Sequence, residues 1–165
     1  MAVVTLKSTA ITNADATPIV QNTPLLQRGL RKTTIGTLPV ANGDSIASVY
    51  RLARVRSSDR IASLSLFCTA ITAAAANLGF YDTAANGGAI VGGGAQLAAA
   101  QSLAAALSGL NVTYAVTTLA NAEKRVWELL GLAADPGKEY DIAATLTAAA
   151  TAAGQVALHV DTVSN

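Results

Sequence analysis

After about residue 46 the chain alternates apolar and polar side chains, the mark of a half-buried strand. Ser48–Val55 sets Tyr50 and Leu52 against Arg51. A turn at Ser57-Ser58-Asp59 follows, and Arg60–Cys68 then sets Ala62, Leu64, Leu66 and Cys68 against Ser63 and Ser65. Leu78–Asp82 puts Leu78 and Phe80 on one face, with Gly79 and Tyr81 on the other. Val112–Val116 places Val112, Tyr114 and Val116 together. Tyr140–Thr147 sets Tyr140, Ile142, Ala144 and Leu146 against Asp141, Ala143, Thr145 and Thr147. Gln155–Val163 turns Val156, Leu158 and Val160 inward, and with the preceding strand it is expected to form an antiparallel hairpin about the loose turn Ala149–Gly154.

Turn residues punctuate these runs. Asn86-Gly87-Gly88 and Asp135-Pro136-Gly137 are turn sequences, because Asn and Gly tolerate positive φ and Pro fixes its own. Ala89–Val91 resumes a strand after the first of them. Two stretches read as helix. Ala95–Ser108, behind Gly92-Gly93-Gly94, is rich in Ala, Leu and Gln and is expected to be a short helix or helical loop. Ala122–Leu130 has Asn121 as a plausible N-cap and Gly131 as a stop. Short, regularly spaced strands predict an all-β fold with one or two short helices. The architecture expected is an antiparallel β-sandwich or jelly-roll-like domain over residues 46–165. Alanine favours helix intrinsically, but the Thr and Val alternation outweighs it, since one sheet face must be apolar and the other wet.

Residues 1–45 differ. They hold Pro18, Pro24 and Pro39 and show no sustained period. The expectation is an extended N-terminal arm, about 45 residues that span roughly 150 Å when fully drawn out. Leu25, Leu26, Leu30, Ile35 and Leu38, with Ile19 and Val20, are too apolar for a solvated spacer, so the arm is read as binding a partner. Arg28, Arg31 and Lys32 form a small basic group on it, expected to pair with carboxylates of a neighbour or to be solvated.

Composition narrows the function. The chain has 165 residues, a formal net charge of +1 and 13% charged residues. That balance argues against a nucleic-acid or anionic-membrane surface, which needs dense Lys and Arg. Much of the 52% hydrophobic content is Ala, and aromatics are 4%. Alanine buries little area, so the core is thin and self-association as a dimer or trimer is expected. Neither Leu64–Ala76 nor Ala98–Leu107 reaches the length of a spanning helix, and Met1–Leu6 lacks the pattern of a signal peptide.

Candidate chemistry is sparse. His159 shares a strand face with Asp161, but no nucleophile accompanies them, and a surface histidine is the simpler reading. One His and the single Cys68 give no metal spacing. Gly92-Gly93-Gly94 lacks the Lys-Ser/Thr ending of a phosphate loop. Glu139 and Asp141 flank Tyr140 without an aromatic cleft, which leaves a carbohydrate-binding or hydrolytic β-sandwich without its groove. No catalytic, cofactor or metal residues are assigned. Trp127, with Leu130 and Tyr140, is expected to anchor the core or an interface.

Four stretches together resemble the small virion proteins of tailed bacteriophages. They are GFYDTAANGGAIV (Gly79–Val91), WELLGLAADPGKEYDI (Trp127–Ile142), ATLTAAATAAG (Ala144–Gly154) and, more loosely, RLARVRSSDRIASLSLF (Arg51–Phe67). The resemblance covers most of the chain from Val49 onward. It implies a head decoration or cement protein with a β-sandwich core. Such a protein is made in the host cytoplasm, oligomerises on the outer capsid surface and clamps the major capsid protein, without enzymatic activity. A tail or head-fibre component is the alternative it leaves.

Overall fold

A computed structural model describes residues 7–24, 27, 29–113 and 119–164. Among them lie nine strands: β1 (Leu30–Val40), β2 (Val49–Arg56), β3 (Arg60–Cys68), β4 (Ala75–Asp82), β5 (Ile90–Val91), β6 (Ala98–Ser102), β7 (Leu107–Asn111), β8 (Glu139–Ala148) and β9 (Gly154–Ser164). Two short helices accompany them, α1 (Thr9–Ala14) and α2 (Val126–Leu129). The strands make two antiparallel sheets, one ordered β1-β9-β3-β7 and the other β2-β8-β4-β5, with β6 also on β4. The fold is an all-β sandwich.

The alternation explains which faces meet. Val156, Leu158 and Val160 of β9 and Leu64 and Leu66 of β3 are buried, against Leu78, Phe80, Tyr140, Ile142 and Leu146 of the other sheet. Phe80 and Tyr140 pack edge to face, with ring centroids 6.4 Å apart. Burial of each large side chain contributes roughly 1.5–3 kcal/mol.

β8 departs from simple alternation, because Asp141 and Ala143 on its outward face are buried too. The segment after β4 folds back over that face. Gly79, opposite Ala143 in the ladder, meets the Gly94 backbone so closely that a Cβ there would lie 2.2 Å from the Gly94 carbonyl carbon. Small residues at both positions let the loop rest on the sheet.

Four sequence expectations change. First, residues 30–40 are not extended arm: they form β1, which pairs along its whole length with β9, from Leu30 opposite Ser164 to Val40 opposite Gly154. Second, 95–108 is not helical. Leu97 and Leu103 are buried, and β6 between them pairs with β4. Third, the helix expected from Ala122 begins only at Val126, because Arg125 is extended (φ −74°, ψ 165°) and bridges to Arg60. Fourth, β8 and β9 form no hairpin. They lie in opposite sheets, and the loop between them crosses from one layer to the other.

Candidate interaction surface

β1 is an edge strand of its sheet, and its first half stands clear of the core. Leu30 is 63% exposed and Ile35 60%. Lys32, Thr33 and Thr34 are exposed beside them. The second half is fixed: Leu38 packs on the core and Val40 is buried. Leu25, Leu26 and Arg28, assigned with them to partner binding, lie outside the described residues, as do Tyr114 and Val116 of the expected 112–116 strand. Arg31 finds its carboxylate within the chain, donating to Asp161 at 2.5 Å. Upstream, Asn22 ties the chain into a compact turn: its amide donates to the Ala10 carbonyl (3.0 Å) and to Gln27 (2.8 Å), and its carbonyl accepts from Asn13 (2.9 Å). Ile11, Ile19 and Val20 remain exposed there.

Asp161 is the hub that fastens β1. It accepts from Ser63 of β3 (2.6 Å), Thr33 of β1 (2.6 Å) and Arg31. These hydrogen bonds, Ser63 first, hold its carboxyl well below the usual carboxylate range. The ring of His159 lies against Phe67, centroids 4.6 Å apart. The side chain of Asp161 is thus committed to hydroxyls and a guanidinium, and the two residues are not built as a proton-transfer pair.

On the other sheet Asp141 is buried between two guanidiniums. Arg54 Nε donates to it at 2.7 Å and Arg51 at 2.9 Å. Burial alone would raise its carboxyl; the hydrogen bonds from Arg54 and Arg51 outweigh that and lower it. Arg51 also donates to the Asp82 and Gly88 carbonyls, pinning the covering loop. This cluster was not foreseen from sequence. Arg51 and Arg54 are three apart, which strict alternation sends to opposite faces. A bulge at Leu52 restores them to one face, opposite Ala143 and Asp141. Lys138 pairs with Asp82 at 2.5 Å, while Asp135 accepts from Ser57 at 2.5 Å and from the Gly137 N–H.

The remaining sequence candidates occupy structural places. Cys68 is buried, and burial pushes its thiol up. Gly92, Gly93 and Gly94 all have positive φ and shape the covering loop. Tyr140 is buried, Leu130 packs on the core, and Trp127 is half-buried next to the fully buried Val126. Among the described residues no three His, Cys, Asp or Glu side chains are grouped to hold a metal ion, and no helix is long and apolar enough to cross a membrane.

The sandwich has counterparts in phage capsids. It is similar to a chain of the cyanophage Pam1 capsid asymmetric unit, with a TM-score of 0.53 and 14% identity, covering 83% of this chain and 86% of that one. It is also similar to a chain of the capsid of Ralstonia phage GP4, with a TM-score of 0.51 and 12% identity, covering 81% and 85%. What is shared is the fold. No protein-family model and no curated protein matches the chain.

Proposed function

We propose that this chain is a bacteriophage virion structural protein of the capsid decoration (cement) type. It has no catalytic role, self-associates as a dimer or trimer, and binds the major capsid protein on the outer surface of the head. The observation that carries the reading is the likeness to chains of two phage capsids over more than four fifths of each. The exposed segment before and within β1 supports it. Ile11, Ile19, Val20, Leu30 and Ile35 offer exposed apolar area along it, with Lys32 exposed between the last two. Leu25, Leu26 and Arg28 extend that segment in sequence. Each contact is small, but on a shell every contact is repeated, and linkage raises the effective concentration of the next.

A reconstruction of the native particle tests this. The expected result is density for the sandwich on the shell exterior, at contacts between capsomers, in hundreds of copies by densitometry of purified virions. A few copies confined to the tail or to head fibres would replace the cement reading with the alternative virion role.

A further inference from the structure

The two ends of the sandwich differ in charge. One end consists of loops 41–48, 69–74, 103–106 and 149–153. Backbone hydrogen bonds lace them together: Gly43 to Ala150 (2.9 Å), Ala150 to Asp44 (3.0 Å), Ile71 to Leu103 (2.9 Å) and Thr151 to Thr72 (3.0 Å). Their exposed side chains are mostly Ala, Ser and Thr, and Asp44 is their one ionisable residue. Its carboxylate is already occupied by the Tyr50 hydroxyl (2.5 Å) and the Ala41 N–H (2.8 Å).

The other end gathers the beginnings of β1, β3 and β8 and the ends of β2, β4 and β9, as the ladders require. Helix α2 joins it through Val126 to the Asp59 carbonyl (2.9 Å) and Trp127 to the Ser57 carbonyl (3.1 Å). Its carboxylates are largely spoken for. Asp82, Asp141 and Asp161 hold Lys or Arg, Asp135 holds Ser57, and Glu128 accepts from the Arg125 N–H at 2.7 Å. Of its cations, Arg31, Arg51, Arg54 and Lys138 are held in those pairs, while others are not. Lys32, Arg56 and Lys124 are exposed and Arg125 half-buried. Among the described residues no carboxylate lies within ion-pair distance of these four. A surface cavity of about 440 Å³ opens beside Arg56, lined also by Ser57, Ser58, Gly137, Lys138 and one acid, Glu139.

We infer that this end docks against a carboxylate-bearing protein surface, with Arg56 and Lys124 as the principal contacts. Uncommitted cations interspersed with acids suit single Asp and Glu side chains of a partner, which steer encounter and fix register. They do not suit a nucleic acid, whose continuous phosphates would meet Glu123, Glu128 and Glu139 as well. The inference rests on the virion reading only for which protein supplies the carboxylates.

The test uses the full chain on poly-L-glutamate resin at low salt. Wild type is expected to be retained, and Arg56→Gln/Lys124→Gln to lose retention with unchanged thermal unfolding. Thr72→Glu/Ala105→Glu, which charges the opposite end, is expected to leave retention intact. Failure of wild type to bind, equal retention of the glutamine pair, or stronger retention on double-stranded DNA resin would overturn the inference. A second arm adds the same proteins to shells stripped of this chain. If none binds shells while the resin result stands, the cement reading fails and the carboxylate preference survives.

Discussion

Gly36 of β1 lies against the carbonyl of Leu52 in β2, so close that a Cβ on Gly36 would sit 1.7 Å from that oxygen. β1 and β2 belong to different sheets, and this contact brings them together at one corner of the sandwich. Leu52 is the bulged residue of β2, so the bulge and the glycine meet at one point. Gly36→Ala is therefore expected to destabilise by about 1–3 kcal/mol, the usual cost of overpacking. Urea unfolding measures it; an unchanged midpoint would mean that the corner is not closed there.

Removing residues 1–29 is expected to leave a cooperatively folding sandwich that binds shells poorly. Removing residues 1–45 is expected to give an aggregated or unfolded product, because it strips the eleven residues of β1 from β9 and bares a long strand edge. Circular dichroism and sedimentation of the two truncations distinguish these outcomes. Two folded, soluble products would show that β1 contributes nothing to the fold.

Acid is expected to loosen β1. Asp161 is lowered in the folded protein from an ordinary value of 3.8. A group depressed on folding stabilises above its unfolded value, and that contribution is lost as pH falls toward the folded one. Stability is thus expected to hold from neutral pH to about pH 4 and to decline below it, with Asp141 adding to the slope. Asp161→Asn is expected to cost on the order of 1.5–3 kcal/mol at neutral pH, the range for hydrogen bonds to a charged group, and to flatten the acid limb. An acid limb equally steep in the variant would remove Asp161 from this role.

Tyr140 and Trp127 are expected to behave differently. Tyr140 is 1% exposed and packs on Phe80, so Tyr140→Ala is expected to cost about 3–5 kcal/mol. Trp127 is half-buried and its Nε1 is buried without an acceptor. Trp127→Phe removes that unpaired donor and is expected to be neutral or slightly stabilising. A large loss in Trp127→Phe, measured by thermal unfolding, would instead reveal a bonded indole.

Most of the strands were legible because their inward faces alternate with polar outward ones. β1 was not, since Leu30–Ile35 is exposed on both faces and shows no period. The backbone ladder to β9 and the bonds from Arg31 and Thr33 to Asp161 hold it, and neither shows as a hydrophobic period. Pro39 was counted among the prolines of the extended arm but sits on an edge strand, where a missing donor is tolerated. Alanine propensity misled at 95–108, where Leu97 and Leu103 bury themselves on either side of β6 and tertiary pairing decides the backbone. The alternation of Tyr140–Thr147 and Gln155–Val163 was right for each strand. It carries no information on whether the turn between them stays in one sheet or changes layer. The charged clusters were hidden for a related reason: Arg51 and Arg54 share a face through a bulge that no pattern of residue types announces.

β9 lies between β1 and β3, and Arg31 meets Asp161 across 130 positions of sequence. During synthesis the first strand therefore waits, unpartnered, while more than a hundred residues are added. Nucleation by such distant pairings is slow, commonly milliseconds to seconds for β-sandwiches. A chain whose early segment carries Leu38 and Val40, side chains that the finished sandwich covers, bare through that interval is exposed to premature encounter with its own siblings, and its yield in the cell would be set by how quickly the late strand arrives.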